Sequence, residues 1–349
     1  MLRRHPLEED LDYVLSHTED VFQNLRDKEI FISGGTGFIG KWLLESFIWA
    51  NSRLDLHAKA HVLSRNPDSF RNRYPHLSDA SEIQLHKGDV RDFTFPKERI
   101  DFIIHAATDA DAQVNRDNPL LVIDTTVDGT RRMLDFARQC EAKRFLLTSS
   151  GAVYGKQPPT LSHMPEDYTG APDPSDPASA YGEGKRLAEL LCSIYHREYG
   201  IETTTARCFA FVGPYLNLDI HYAVGNFIRD GLAGGPIRVT GDGTPCRSYM
   251  YAADLVIWLW SILFRGRPGH AYNVGSDEEI SIGDLARRVS RCFPGPPDVI
   301  TARTPTRDGP ALRYVPCIDL ARREMGLRCW IGRDDAIART VRFHQQVTT

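Results

Sequence analysis

Short apolar runs alternate with longer amphipathic stretches up to about residue 210. The apolar runs are IFIS at 30–33, AHVLS at 60–64, EIQLH at 82–86, DFIIHAA at 101–107, KRFLLTSS at 143–150 and TTTARCF at 203–209. Strands that alternate with helix-length segments indicate βαβ units around a parallel sheet. Right-handed crossovers then bring the carboxyl ends of the strands to one edge, where ligands bind. The pattern predicts an α/β fold with a doubly wound parallel sheet, whose ligand edge carries Ser64, Asp89, residues 105–108 and residues 149–151.

The segments outside this alternation differ in character. Residues 157–180 contain six prolines and few apolar side chains, so they predict a long loop, and such loops are often functional lids. From residue 213 onward Gly and Pro are more frequent, with a short strand predicted at 236–242 and a helix at 253–264. Residues 1–29 have the spacing of one or two amphipathic helices and carry no candidate chemistry.

These shifts divide the chain into three predicted parts. Residues 1–29 form an N-terminal helical extension, residues 30–212 form the domain with the parallel sheet, and residues 213–349 form a smaller substrate-binding region. Within that last region, residues of about 247–274 are expected to pack back on the sheet domain.

The first apolar run ends in a cluster of glycines. Gly35, Gly37 and Gly40 have the spacing G-x-G-x-x-G, and Gly34 adds the variant G-x-x-G-x-x-G. Such glycines allow a tight turn, a close approach of the backbone to a pyrophosphate, and close packing of the next helix. The first N–H groups of that helix and its positive dipole end then bind the phosphates. Since a strand precedes the cluster and WLLESFIWA follows it with helical spacing, the sequence predicts a dinucleotide-binding turn.

The composition of the chain favours small molecules over nucleic acids or membranes as binding partners. The chain has 42 Lys plus Arg against 46 Asp plus Glu, which indicates neither a nucleic-acid-binding surface nor a strongly membrane-attracted one. The longest apolar run, LVIWLWSILF at 255–264, is too short to cross a bilayer and predicts a buried helix. The seven cysteines include no C-x-x-C pair, so neither a metal site nor a disulfide framework is predicted. We expect a soluble, cytoplasmic protein that binds small molecules.

The end of the second strand bears on the identity of the dinucleotide. An acidic residue there would hold the ribose hydroxyls of NAD, and a basic residue would accommodate the additional phosphate of NADP. Ser64 and Arg65 stand at this position and Asp55 lies too early, so NADP(H) is favoured and NAD, bound by other groups, is the alternative. Asp89 follows the third strand, where its carboxylate either accepts a hydrogen bond from the adenine amine or only forms a turn.

Tyr181 and Lys185 lie four residues apart at the start of a helical stretch. Residues with this spacing share a helix face, so the ammonium group of Lys185 is expected near the phenol of Tyr181. A neighbouring positive charge would lower the pKa of the phenol from about 10 towards neutrality, which suits a general acid/base for an alcohol or ketone. Ser150, at the end of an apolar strand, completes the candidate catalytic set.

Five motifs occur in a characteristic order. They are GGTGFIG at 34–40, HAA at 105–107, SSGAVYG at 149–155, Tyr181 with Lys185, and GDGTPCRSYMYAADL at 241–255. From about residue 30 to residue 327 the chain resembles the extended short-chain dehydrogenase/reductase family of NAD(P)-dependent nucleotide-sugar epimerases and dehydratases. The resemblance implies a Rossmann-type domain that binds NAD(P) and a C-terminal region that binds a nucleoside-diphosphate sugar.

The resemblance also implies roles for individual residues. In the family the Tyr takes the proton of the sugar 4-hydroxyl while hydride passes from C4 to the nicotinamide. That role falls on Tyr181, with Ser150 bonded to the same oxygen and Lys185 lowering the pKa of the phenol. Asn226 and Arg247 match positions that bind the substrate diphosphate, for which a bidentate Arg is well suited. The implied cofactor-binding residues are Gly34, Gly35, Thr36, Gly37, Phe38, Ile39, Gly40, Ser64, Arg65, Asp89, Val90, Ala106, Ala107 and Lys185.

Departures from the family pattern concern the step that follows oxidation at C4. The dehydratases carry an Asp-Glu pair after the catalytic Thr and the UDP-glucuronate decarboxylases carry a Glu, where this chain has Gly151 and Ala152. Because neither residue can exchange a proton, the leading hypothesis is an epimerase or a 4-keto reductase that acts at C4. The alternative is a 4,6-dehydratase or decarboxylase with a displaced acid/base, for example Glu166 or Asp167. A non-catalytic NADP-binding sensor is less favoured, because the Ser, Tyr and Lys are intact.

Two further replacements and one analogy complete the expectations. Thr126 and Ala210 stand where the family usually has Asn, which affects the expected orientation of the sugar. A homodimer is expected by analogy, since exposed helices in this fold class often pair across a two-fold axis.

Overall fold

The computed structural model describes residues 5–108, 112–220, 222–304 and 311–348. The strands are β1 (Glu29–Ser33), β2 (Lys59–Ser64), β3 (Ile83–Lys87), β4 (Phe102–His105), β5 (Arg144–Ser150), β6 (Glu202–Cys208), β7 (Phe211–Val212), β8 (Ile237–Val239), β9 (Cys246–Arg247), β10 (Met250–Tyr251), β11 (Ala271–Val274), β12 (Ile280–Ser281), β13 (Val299–Thr301) and β14 (Arg313–Tyr314).

The helices fill most of the remaining chain. They are α1 (Glu8–Phe22), α2 (Phe38–Leu54), α3 (Pro67–Arg73), α4 (Pro75–Ser78), α5 (Ala112–Asp117), α6 (Pro119–Gln139), α7 (Ala180–Tyr199), α8 (Ala223–Leu232), α9 (Ala252–Arg265), α10 (Ile282–Ser290), α11 (Asp319–Met325) and α12 (Arg333–Thr348). Short 3-10 turns lie at Gln23–Leu25, Gly151–Tyr154 and Pro177–Ser179.

In the described part of the chain, seven parallel strands form the central sheet, in the order β3-β2-β1-β4-β5-β6-β11. The chain starts at β1 in the middle, runs outward to β3, and then returns to β4 beside β1 before it runs outward the other way. This order confirms the predicted doubly wound sheet. Its reversal leaves a crevice at the carboxyl ends of β1 and β4, which is where such sheets bind ligands.

Helices cover both faces of the sheet, because its central strands are apolar on both sides. Ile30 and Ile32 of β1 contribute to the core that contains residues of α2 and α9. Phe31, between them, points to the opposite core, which contains residues of α6 and α7. Helix α9 is buried along residues 252–263, between the sheet and α1, as its apolar sequence predicts.

The two ends of the chain meet on the outside of this layer. Helix α1 packs on α2 and α9. Its buried residue Asp10 accepts hydrogen bonds from the phenol of Tyr251 at 2.6 Å and from Arg339 of α12 at 2.5 Å. The N-terminal extension is therefore an integral layer of the fold.

Smaller sheets form much of the C-terminal region. The strands pair as β10-β7, β12-β9-β14 and β13-β8. Strand β11 instead pairs with β6 as the outermost strand of the central sheet. Along the described residues, no helix is both long and apolar enough to cross a membrane.

Candidate active site

The glycine cluster forms the turn between β1 and α2. Gly34 has a φ angle of +72°, and a Cβ atom there would lie 2.5 Å from the backbone carbonyl of Ala106. A Cβ atom on Gly40 would overlap the backbone of Gly34 and Gly35. Gly37 is the N-cap residue of α2. The atom nearest to a Cβ atom on Gly37 would be the Gly34 carbonyl oxygen, at 3.4 Å. The turn is thus closed on its inner side and open at the helix N-terminus, which fits the pyrophosphate of a dinucleotide.

The other predicted cofactor residues of the glycine turn and of β4 lie around this opening. Thr36, Phe38 and Ile39 are half-buried in the turn and the first helical residues. Ala106 and Ala107 follow β4, and the backbone N–H of Ala106 donates to the Ser33 carbonyl at 3.0 Å. The packing of Gly34 on Ala106 therefore joins two of the predicted segments directly.

Ser64, Arg65 and Asp89 lie at the ends of the next two strands. Ser64 is buried and its Oγ accepts from the backbone N–H of Asn66 at 3.3 Å, whereas Arg65 is exposed. The carboxylate of Asp89 accepts from the guanidinium of Arg91 at 2.8 and 3.0 Å. These hydrogen bonds hold the pKa of Asp89 below its usual value, and the charge of Arg65 acts in the same direction.

The predicted cofactor residue Val90 has its side chain in the protein core. It is 6% exposed. A Cβ atom on Gly129 of α6 would lie 2.8 Å from Val90 Cγ1. The side chain of Val90 thus packs on α6, which leaves its backbone as the part available to a ligand.

A buried chain of hydrogen bonds joins the ends of β1 and β4 to α6 through His105, the first residue of the HAA motif. The motif alone did not indicate these hydrogen bonds. His105 Nδ1 lies 2.6 Å from Ser33 Oγ, and His105 Nε2 lies 3.1 Å from Thr130 Oγ1. Burial, assisted by the charge of Lys185, lowers the pKa of His105 to about 3. The imidazole is therefore neutral and links α6 to both strands.

The predicted catalytic residues lie together at the end of β5 and the start of α7. The Ser150 hydroxyl interacts with the phenol of Tyr181 and acts to lower the pKa of that phenol. Lys185 is 1% exposed and its Nζ donates to the carbonyl of Thr148 at 2.8 Å. The same Nζ lies 5.9 Å from the centroid of the Tyr181 ring. The structure thus brings the three side chains to the carboxyl edge of the sheet.

The electrostatics of Tyr181 differ from the expectation. Burial raises the pKa of Tyr181 well above its usual value, and the bond from Ser150 offsets only part of this rise. Burial also lowers the pKa of Lys185 to about 8. Burial is the larger effect on Tyr181, and the ammonium group of Lys185 donates to the Thr148 carbonyl. The lowering of the phenol pKa by Lys185 therefore remains a prediction.

Of the two predicted diphosphate-binding residues, Arg247 reaches this cluster. Its guanidinium carbon lies 5.8 Å from the ring centroid of Tyr314, whose hydroxyl is beside Ser150. Asn226, on α8, has a structural contact: its side-chain nitrogen donates to the carbonyls of Ile220 at 3.0 Å and Leu218 at 3.2 Å, in the orientation that those acceptors favour.

Glu166, considered as a displaced acid/base, has another role in the structure. Its Oε1 accepts from the backbone N–H of Asn273 on β11 at 3.0 Å. Its carbonyl accepts from Arg207 at 2.9 Å. Burial raises the pKa of Glu166 despite these contacts. The side chain therefore fastens the Pro-rich loop to the edge of the sheet.

Comparisons with known proteins agree with this arrangement. The model of the NAD dependent epimerase/dehydratase family matches residues 30–275 of the chain. UDP-glucuronic acid decarboxylase 5 of Arabidopsis thaliana is 35% identical over 260 residues, which are 74% of this chain and 73% of that protein. A dTDP-glucose 4,6-dehydratase of Streptomyces venezuelae, solved with NAD bound, is 25% identical with a TM-score of 0.77 and covers 91% of this chain and 97% of that one. A UDP-glucose 4-epimerase of Thermotoga maritima shares the fold at 20% identity and a TM-score of 0.76, over 92% of this chain and 100% of that one.

Proposed function

Because the chain belongs to the NAD dependent epimerase/dehydratase family, we propose that the protein oxidises C4 of a nucleoside-diphosphate sugar with a nicotinamide dinucleotide. The observation that carries the proposal is the grouping of Ser150, Tyr181 and Lys185 on the strand edge that also carries the glycine turn. The names of the related proteins refer to UDP-glucuronic acid and dTDP-glucose, which supports a nucleotide sugar as the substrate class.

Each of the candidate active-site residues has its own role in the oxidation at C4. Residues 34–40 would hold the dinucleotide, which supplies the hydride acceptor when it is bound. In its ionised form, which the positive charge of Lys185 would favour, Tyr181 takes the proton of the sugar 4-hydroxyl, and Ser150 donates a hydrogen bond to the same oxygen as it becomes a carbonyl. In the reverse direction the neutral phenol, which burial favours, returns its proton to that oxygen. Lys185 links α7 to β5 through its hydrogen bond to the Thr148 carbonyl, and its positive charge lies beside the Tyr181 ring.

We propose that loss of carbon dioxide or water from the 4-keto intermediate follows, with an acid/base displaced from residues 151 and 152. The relatives support this choice over the leading hypothesis from the sequence. The relative at 35% identity is a UDP-glucuronic acid decarboxylase, and the structure at 25% identity is a 4,6-dehydratase. The epimerase structure, at 20% identity, supports the shared fold alone.

Epimerisation at C4 or reduction of a 4-keto sugar is the second candidate. Its support is the pair Gly151 and Ala152, which carry no proton-transfer group. Neither reaction needs one beyond Tyr181, since hydride returns to C4 and the proton returns to its oxygen.

The cofactor and the assembly are also proposed. Arg65 favours NADP(H), whereas the dehydratase structure at 25% identity contains NAD. For the assembly we propose a homodimer through α6 and α7, which expose apolar side chains on one surface region: Leu120, Ile123, Leu187 and Leu190.

Four separate incubations of the purified protein test the reaction. UDP-glucuronic acid, dTDP-glucose and UDP-glucose are each supplied with NAD, and a 4-keto-6-deoxy sugar nucleotide is supplied with NADPH. We expect mass spectrometry to detect loss of carbon dioxide or water in one of the first three. Inversion at C4 without mass change, or stoichiometric NADPH consumption, would support the second candidate instead. Failure of every incubation would refute the proposed substrate class.

A further inference from the structure

Tyr314 adds a second phenol to the Ser150 site. Its hydroxyl oxygen lies 3.5 Å from Ser150 Oγ. Ser150 also interacts with the phenol of Tyr181, so it lies beside two phenols. The backbone N–H of Ala152 also donates to Ser150 Oγ, at 3.1 Å, and so fixes the shared hydroxyl in place.

The Tyr314 hydroxyl lies where a side chain at residue 151 would begin. A Cβ atom on Gly151 would lie 2.7 Å from the Tyr314 hydroxyl oxygen and 2.7 Å from Cζ of Phe209. A side chain at position 151 would therefore require these two rings to shift. The phenol that lies next to Ser150 at this position comes from β14, whereas residues 151 and 152 carry no group that exchanges protons.

The Tyr314 ring packs against the ring of Phe209 and lies near the guanidinium group of Arg247. Its centroid lies 4.6 Å from that of Phe209. On the adjacent strand β9, Arg247 is its register partner and places its guanidinium carbon 5.8 Å from the ring centroid. Burial raises the pKa of Tyr314 to about 12, while the hydrogen bond with Ser150 and the charge of Arg247 act in the opposite direction. Arg247 offsets only part of the effect of burial, so Tyr314 is a neutral phenol that has a proton to donate.

We propose that Tyr314 is the acid/base of the second step and acts on C5, the carbon next to C4, once C4 has become a carbonyl. The inference rests on the proposed function. In a decarboxylation, the bond between C5 and the carboxylate breaks, carbon dioxide leaves, and the electron pair forms an enolate. Tyr314 then donates its proton to C5 and regains one from water. In a dehydration, Tyr314 donates its proton to the hydroxyl group that leaves C6 as water, and the resulting phenolate takes the proton of C5, which restores the neutral phenol.

Ser150 and Tyr181 are suited to support this step. Both hydroxyls lie at the place expected for the C4 oxygen and interact with each other, so they would stabilise the enolate on that oxygen. Glu166, the other candidate, is bonded to the backbone of Asn273. The hydrogen-bond geometry therefore favours Tyr314.

Exchange with solvent deuterium separates the two steps. The full chain, loaded with NAD in deuterated buffer, is incubated with UDP-glucuronic acid, dTDP-glucose and UDP-glucose in turn. Reduction of NAD in a single turnover reports oxidation at C4, and mass spectrometry with NMR reports deuterium at C5. For Tyr314→Phe we expect deuterium incorporation to fall by at least about 100-fold, while oxidation at C4 changes by less than about threefold.

Tyr168→Phe is the matched control. It removes a phenol of the Pro-rich loop whose ring neighbours Tyr154, with a centroid distance of 6.3 Å. We expect it to leave both readouts unchanged. The Phe side chain at 314 keeps the ring contacts with Phe209 and Arg247, so the thermal unfolding of Tyr314→Phe should match that of the natural protein. The pH profile of the second step should lose one ionisation in Tyr314→Phe only, which a purely structural role would not cause.

The outcomes are distinguishable. Equal deuterium incorporation in the natural protein and Tyr314→Phe would overturn the role of Tyr314, and so would reduction of NAD without any deuterium at C5 in the natural protein. Equal loss of both readouts in Tyr314→Phe would also overturn it. Absence of NAD reduction with all three sugars would instead refute the proposed function, and this inference with it.

Discussion

At the scale of single residues, burial changes the pKa values of Tyr181 and Lys185 more than the proximity of the two side chains does. Their spacing places the ammonium group 5.9 Å from the ring centroid, yet Nζ donates to the Thr148 carbonyl. Burial disfavours the charged form of both side chains, raising the pKa of the phenol and lowering that of Lys185 to about 8. The phenol is therefore neutral in the protein alone and is ready to donate a proton.

Tyr181→Phe tests this assignment. The variant lacks the hydroxyl that exchanges the proton with O4, so we expect turnover to fall by about 100- to 10,000-fold. Binding of NADH or NADPH, followed by fluorescence, should be nearly unchanged. Tyr168→Phe serves as the control and should retain full turnover. Retention of activity in Tyr181→Phe would refute its role.

Arg65→Ala tests the preference for NADP(H). A charge-assisted hydrogen bond to the ribose phosphate contributes about 1.5 to 3 kcal/mol, so we expect NADPH to bind about 10- to 100-fold more weakly. Binding of NADH should be unchanged, because it lacks that phosphate. Arg71→Ala, an exposed arginine of α3 that pairs with Asp68, is the control. Equal weakening of NADH and NADPH would show that Arg65 does not read the phosphate.

At the scale of elements, the glycine turn sets the distance between β1, α2 and the end of β4. Gly34 contacts Ala106 through backbone alone, and Gly40 lets the first turn of α2 lie against residues 34 and 35. Any side chain at either position would push α2 away from the sheet. The helix N-terminus that is expected to bind phosphate would move with it.

A comparison of Gly34→Ala with Gly200→Ala separates the cost of backbone strain from the cost of steric crowding. Both glycines have positive φ angles, +72° and +70°, so each substitution costs about 1 to 2 kcal/mol of stability through the backbone. A Cβ on Gly200 meets nothing within 4 Å, whereas one on Gly34 lies 2.5 Å from Ala106. We expect denaturant unfolding to show a further loss of about 1 to 3 kcal/mol in Gly34→Ala, together with weaker cofactor binding. Equal losses in both variants would contradict the crowding.

At the scale of the whole molecule, the chain ends are tied to the sheet domain at buried carboxylates. Asp10 joins α1, Tyr251 and α12. Glu45 of α2, 3% exposed, accepts from His5 at 3.3 Å, from His76 at 3.0 Å and from Tyr215. Segments that are far apart in the sequence thus depend on the same few charged groups.

Acid should weaken the Glu45 connection. Burial alone would raise the pKa of Glu45, but hydrogen bonds from His5, His76 and Tyr215 lower it from 4.5 to about 2. A lowered carboxyl pKa contributes stability that is fully present above pH 4.5 and is lost as pH falls through about 2. The contribution is about 3 kcal/mol at most. Glu45→Gln should therefore flatten the decline of unfolding free energy with acid, and an unchanged decline would contradict this role.

Leu190→Glu tests the proposed homodimer. The substitution places a charge in the exposed apolar region of α6 and α7, and burying it in an interface would be costly. We expect light scattering to report a monomer for this variant and a dimer for the natural protein. Leu312→Glu, which changes a leucine that is 63% exposed near β14, should leave the dimer intact. A natural protein that is already monomeric would refute the proposal.

Local pattern was enough to predict much of the fold. Each apolar run before residue 210 lies within a residue or two of an observed strand, because buried strands need continuous apolar side chains whatever surrounds them. The strand predicted at 236–242 extends only over Ile237–Val239, since its partner β13 pairs with those three residues alone. The grouping of Ser150 with Tyr181 and Lys185 was likewise predictable, because it follows from helix spacing and strand order.

By itself, the sequence determined the doubly wound sheet, the glycine turn and the residue types at the centre of the site, since these depend on neighbours close along the chain. Only the tertiary structure decided the protonation of Tyr181, because the pKa of the phenol depends on its burial. The tertiary structure also decided that Tyr314 lies beside Ser150, although the two residues are 164 positions apart in the sequence. No local spacing encodes that contact. It arises because β14 pairs with β9 and so carries the phenol, together with Arg247, to the Ser150 site.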